Sequence, residues 1–290
     1  MGTLIAMAYP TSLFAKAADH TYVKCGTGKK AWGCWGGKTG GKELRRGTGS
    51  TKRADKIAGS DEKAGIKCYL INGVCHQAAN RILLPAGILV RGARGYYVSE
   101  ALFGPYGRVG FWPCRSPFNQ FPKVTGDLPE CVPPSAATTA KPTLARVLSD
   151  ADKLDWNYIN GALKIYAGAQ KMLSADSVPA GEAQDFNISL FMYMAEYHLG
   201  PALDRKLTGR LKQVRRRTEK ARLKPETAYE KEKMAPGEFV DAINKTTTDF
   251  QDDMANALSP AHYESLFELK PDERVILADP DIVSKVFGDK

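Results

Sequence analysis

Cys75 sits in residues 69–84, YLINGVCHQAANRILL, where an apolar run stops at Asn72 and Gly73 and a helix is predicted to begin at the cysteine. A helix N-terminus carries partial positive charge and free N–H groups, so a thiol there is biased towards the nucleophilic thiolate. Such a thiolate needs a base, and the chain has four histidines: His20, His76, His198 and His262. His76 follows Cys75 directly, and neighbours on a helix point about 100° apart, which places it poorly for sharing a proton with that thiol. His198 and His262 lie in a distant helical half and read as ordinary polar or capping residues. His20 remains, in the strand-forming run Asp19-His20-Thr21-Tyr22-Val23. A thiol at a helix start facing an imidazole on a strand is the Cys–His arrangement of acyl transfer.

This order, a strand histidine followed by a helix-starting cysteine, resembles the circularly permuted branch of the papain-like, NlpC-type superfamily. Its lecithin:retinol acyltransferase-like and PPPDE-type members have a similar layout. Their cysteine motif often reads as an apolar strand, one or two Asn, then Cys, a His or Asn, small residues and a helix. YLINGVCHQAAN looks similar, and DHTYV looks like the histidine strand, so the resemblance covers residues 18–84. It implies a papain-like domain with a short antiparallel sheet and a nucleophile helix, Cys75 and His20 as the catalytic pair, and no cofactor. Those families place a polar residue on the next strand to orient the histidine, but here no carboxylate follows before Glu43. The third member stays open among Asp19, Gln77 and Asn80. Residues 87–90, 95–102 and 107–112 read as further strands, whereas a simple permuted layout has most of its sheet before the cysteine.

The elements that must position this pair divide the chain in two. With 290 residues, two domains are expected, and no run approaches the roughly 18 apolar residues of a transmembrane helix. All six cysteines lie within the first 131 residues, and residues 1–142 hold 20 Lys or Arg against 8 Asp or Glu, while the remainder holds 21 against 24. The Pro/Ala/Thr-rich stretch 133–142 has linker composition. The map is therefore a leader or trimmed start over 1–17, a cysteine-enzyme domain over 18–132, a linker over 133–142 and a helical domain over 143–290. The fold class is α+β followed by an all-α part. Helices are predicted over about 143–173, 182–199, 201–233, 237–258 and 260–269 from apolar residues at helical spacing.

With Cys75 free, Cys25 with Cys34 and Cys114 with Cys131 are candidate local disulfides, and buried reduced thiols are the alternative. Disulfides imply a secreted or extracytoplasmic protein. Residues 4–14 are mildly apolar and end in Ala15-Lys16-Ala17, similar to a signal-peptidase site, although the basic n-region is missing and Pro10 interrupts the run. The alternative is a trimmed or engineered start followed by an ordinary strand, in a cytoplasmic protein. No CxxC spacing and no zinc ligand set is present, and no metal is expected.

Two basic segments bear on partners. Residues 36–63 are rich in Gly and Lys and read as a solvated surface loop that would steer an anionic partner such as cell-wall polymer, lipid headgroups or nucleic acid. Residues 211–222 are strongly basic on a predicted helix, but the mixed charges that follow and the absence of interleaved aromatics favour a solvated face over nucleic-acid or membrane binding. Taken together, these features predict a cysteine-dependent hydrolase or acyltransferase acting on amides or esters, first of all peptide or cell-wall peptide amides, with glutamine deamidation by a bacterial effector as a variant. The competing class is a non-enzymatic, disulfide-stapled binding or inhibitor module with a helical partner-binding domain.

Overall fold

The computed structural model describes residues 2–11, 17–33, 36–59, 69–108, 149–168 and 180–287. The fold is α+β. Strands β1 (Gly2–Pro10), β2 (Asp19–Cys25), β3 (Ala31–Trp32) and β4 (Lys42–Gly49) form an antiparallel sheet in the order β3-β2-β1-β4. Helices α1 (Thr51–Gly59), α2 (Cys75–Leu83) and α3 (Tyr96–Phe103) follow, and then α4 (Ser149–Gly168), α5 (Ala180–Leu199), α6 (Arg205–Glu230), α7 (Pro236–Ala257), α8 (Pro260–Phe267) and α9 (Pro280–Phe287).

Strand β1 runs between β2 and β4, with Tyr9 opposite His20 and Pro10 opposite Asp19. Residues 4–10 of the apolar stretch compared above with a leader thus belong to the strand that pairs with the histidine strand. Leu4, Ala6 and Ala8 alternate into the core, as a half-covered strand requires. Ala78 and Ala79 of α2 are fully buried, and residues this small let the helix lie close against β1 and β2.

Three expectations are corrected. Residues 95–102, expected as a strand, fold as α3 between two glycines with positive φ, Gly95 (78°) and Gly104 (70°). All eight residues of α3 are buried, so it has no polar face to reveal a helical period. Residues 87–90 form no strand; of 107–112 only the first two are described, so every described strand precedes Cys75. The segment 36–63, expected as a loop, supplies the edge strand β4 and helix α1. The charged side chains of β4 and of α1 are not buried, as suits an edge strand.

The basic run 211–222 is corrected as well. Lys212, Arg216, Arg217 and Lys220 are exposed, but Arg215, Glu219 and Arg222 are fully buried and share one face of α6 with Leu211, Val214, Thr218 and Glu226. This is a helical stripe whose buried side is largely ionic. Arg108, also buried, donates to Glu219 at 2.8 Å and to Glu226 at 2.6 Å, and Arg215 pairs with Glu219 at 2.5 Å. Burial opposes ionisation of Glu219, but Arg108 and Arg215 outweigh it and hold its pKa at about 2.

The candidate linker 133–142 lies outside the described residues. On either side of it the chain shares one hydrophobic core, in which Leu4, Val23, Ala78 and Ile82 belong to the same cluster as Phe191, Met254, Leu266 and Ile282. The C-terminal half therefore helps to build the surroundings of Cys75.

Candidate active site

Cys75 opens α2, so its N–H and those of the next two residues have no acceptor within the helix. The preceding N–H, of Val74, is capped by Gln77 Oε1 at 3.1 Å. Cys75 forms no disulfide with a described residue and is 4 % exposed, with Sγ 3.8 Å from the carbonyl oxygen of Asp19. His20, the next residue on β2, is fully buried. Its Nδ1 lies 3.7 Å from Oδ2 of Asp279. Burial disfavours a charged imidazole, but the Cys75 sulfur and the Asp279 carboxylate beside it prevail, and the His20 pKa is raised to about 9. His20 thus stands between a thiol at a helix start and a carboxylate. The ring holds its proton across the neutral range and gives it up as pH rises through about 9.

Asp279 is the residue that reading the sequence missed. It comes from the segment before α9, and three ties bring it to a strand 259 positions earlier. Gln251 of α7 clamps Val275 through both its N–H and its carbonyl, each at 2.9 Å. Ala17 then pairs with Ile276 in a parallel bridge, and the Ala18 N–H donates to the Ile276 carbonyl at 2.9 Å. Finally the Tyr69 hydroxyl donates to the Leu277 carbonyl and accepts from the Asp279 N–H. The Asp279 carbonyl takes the Ile282 and Val283 N–H groups, and its Oδ1 accepts from the Asp281 N–H, as at a helix start. Asp279-Pro280 carries the local signal of a helix N-terminus, an acidic residue followed by proline. Nothing local signals the histidine.

The three residues left open as third member each make several hydrogen bonds. The Asp19 carboxylate accepts from the Arg94 N–H at 3.0 Å, and its carbonyl accepts from His76 Nε2 at 2.9 Å. Gln77 caps α2 and donates to Gly104 O and Ser99 Oγ. Asn80 binds the Val90 N–H, the Pro105 carbonyl and the Tyr96 hydroxyl, tying α2 to the segments around α3. His76 is fully buried between Asp19 and Ser99. Among the disulfide candidates, Cys25 is buried with its sulfur 3.0 Å from the Thr27 hydroxyl, while Cys34, Cys114 and Cys131 lie outside the described residues.

Gly36 lies on the imidazole. A Cβ built there would stand 2.1 Å from His20 Cε1, so only glycine permits this approach. The Tyr9 ring lies tilted against the same ring at 4.8 Å, and the Tyr9 and Tyr22 hydroxyls donate to the carbonyls of Gly37 and Gly40. Gly36→Ala is expected to lift this exposed segment rather than shift a ring held in the sheet. Deuterium exchange at the His20 Cε1–H, followed by mass spectrometry, should then be faster than in the parent protein.

A cavity of about 240 Å³ adjoins Asp19, lined also by Lys42, Arg94, Phe267, Leu269 and Glu273. Among the described residues no helix is long and apolar enough to cross a membrane, and no group of three or more His, Cys, Asp or Glu side chains is placed to hold a metal ion. No family model, curated protein or solved structure matches the chain.

Proposed function

We propose that the protein is a cysteine-dependent hydrolase or acyltransferase of papain-like type that acts on amide or ester carbonyls, peptide amides first. The observation that carries this reading is the placement of His20 between the Cys75 thiol at the start of α2 and the Asp279 carboxylate. In the proposed reaction the Cys75 thiolate attacks the carbonyl carbon, and the free N–H groups at the start of α2 receive the oxyanion. The His20 imidazolium gives its proton to the leaving amine or alcohol as the thioester forms. It then takes a proton from the attacking water or acceptor, which releases the acyl group and restores the thiolate and imidazolium from which the cycle began. Asp279 keeps the ring oriented and favours its charged form.

Residues 24–56 hold ten Lys or Arg against two Asp or Glu, and seven of the ten basic side chains are exposed. That charge favours an anionic substrate such as an acidic peptide or a cell-wall polymer, met outside the cytoplasm. Deamidation of a protein glutamine is the same chemistry with ammonia leaving. The stapled binding module needs Cys75 in a bridge, and Cys75 forms no disulfide with a described residue.

Iodoacetamide labelling with peptide mapping tests the nucleophile: Cys75 should alkylate at neutral pH much faster than Cys25. Turnover of a peptide-amide panel should decline as pH rises through about 9, where His20 loses the proton that the leaving group needs. Alkylation requires only the thiolate and should not decline there. Equal labelling of the two cysteines in the folded protein would count against the proposal.

A further inference from the structure

Tyr69 takes no part in the chemistry proposed above, yet it reaches both ends of the site. Its ring is buried, 1 % exposed, and its hydroxyl bridges the C-terminal segment, donating to the Leu277 carbonyl at 3.1 Å and accepting from the Asp279 N–H at 2.8 Å. Its backbone opens the turn that leads to Cys75, in which Leu70 adopts φ 65°. Three successive carbonyls of that turn are gripped from outside it. Arg222 donates to Leu70 O at 2.5 Å, Arg108 Nη1 to Ile71 O at 3.2 Å, and the Arg108 N–H to Asn72 O at 2.7 Å. The hydroxyl therefore hangs from a turn fixed at consecutive residues. Because Asp279 is held by its N–H and by Oδ1, its Oδ2 is the oxygen left to face His20.

We propose that Tyr69 is a positioning residue, whose hydroxyl sets Asp279 against His20 and ties that pair to the turn carrying Cys75. The inference rests on the reading of Cys75, His20 and Asp279 as one catalytic unit. Phenylalanine at position 69 fills the same space without the oxygen, so the fold has no reason to change while the Asp279 N–H loses its acceptor.

The test is an NMR titration of the His20 ring in full-length protein labelled with 15N-histidine, for the parent, Tyr69→Phe, Asp279→Asn and the double variant. The His20 midpoint should start near 9 in the parent. Tyr69→Phe should move it down by roughly one pH unit, because the carboxylate no longer stays within reach of the ring. Asp279→Asn should move it at least as far, and the double variant no further than Asp279→Asn alone, since Tyr69 acts through Asp279. An unchanged midpoint in Tyr69→Phe, whatever happens to its melting temperature, would overturn the proposal, as would a double variant that falls below Asp279→Asn. The titration follows the ring alone. An unreactive Cys75 would therefore defeat the enzymatic reading while leaving this result to stand on its own.

Discussion

Cys75→Ala and His20→Ala should each lower turnover of a cleaved peptide amide by roughly 10⁴-fold or more, and the double variant should be no worse than either. The reason for non-additivity is mechanical. Without the sulfur His20 has no proton to exchange, and without the imidazole the thiol has neither base nor acid. Asp279→Asn should cost less, on the order of 10²–10³-fold, because it removes the orienting charge and leaves nucleophile and base in place. Its distinguishing mark is the pH profile: with the His20 proton held less firmly, the alkaline decline should begin below the parent value of about 9. Kinetics measured beside thermal melts decide the matter. If His20 is only a packed strand residue, its alanine variant should lose activity merely in proportion to the fraction unfolded, and a folded Cys75→Ala protein with full activity would end the cysteine-enzyme reading.

The two ends of this unit differ in how far the sequence discloses them. Cys75 and His20 were legible because each carries a local signal. The cysteine stands where an apolar run turns into a helix, and the histidine stands in a run of strand formers, with His76 excluded by its adjacency to the thiol. Asp279 carries the signal of a helix start, but its partner is 259 positions away, and the path between them runs through Gln251, Ile276 and Tyr69. Side-chain clamps on irregular backbone leave no periodicity, so Asp19, Gln77 and Asn80 stood out by mere nearness in sequence. The structure gives each of those three a different hydrogen-bonding role.

The same distinction holds for the fold. Helix α7 of the C-terminal half was visible because its apolar side chains repeat at helical spacing. Helix α3 was misread because a segment buried on every side has no repeat to read, and its Tyr and Val suggested a strand. Residues 36–63 were misread for the opposite reason. An exposed edge strand and a short charged helix bury little, so their composition looks like that of a loop. Each error follows from using hydrophobic contrast as the signal where the structure provides none.

Helix α6 is the sharpest instance, and it carries the last expected result. Removal of one partner from its buried ion network, as in Glu219→Ala, should destabilise the protein by about 3–5 kcal/mol, because Arg108 and Arg215 are left charged inside the core. Differential scanning calorimetry should register this as a fall in melting temperature of roughly 10 °C. Lys212→Ala, on the exposed side of the same helix, should change stability by no more than about 0.5 kcal/mol. The network has its own pH signature. The carboxylate of Glu219 is held at about 2, below its unfolded value, so its stabilising contribution is present above the ordinary glutamate range and is lost as pH falls towards 2. In Glu219→Ala the loss of stability on acidification should be correspondingly shallower. Arg108 and Arg222 also hold the carbonyls of Ile71 and Leu70, so the variant should loosen the turn before Cys75 and slow its alkylation in protein that is still folded. A variant with parental stability would mean that these charges are not buried together, and α6 would revert to the solvated basic helix that its sequence suggests.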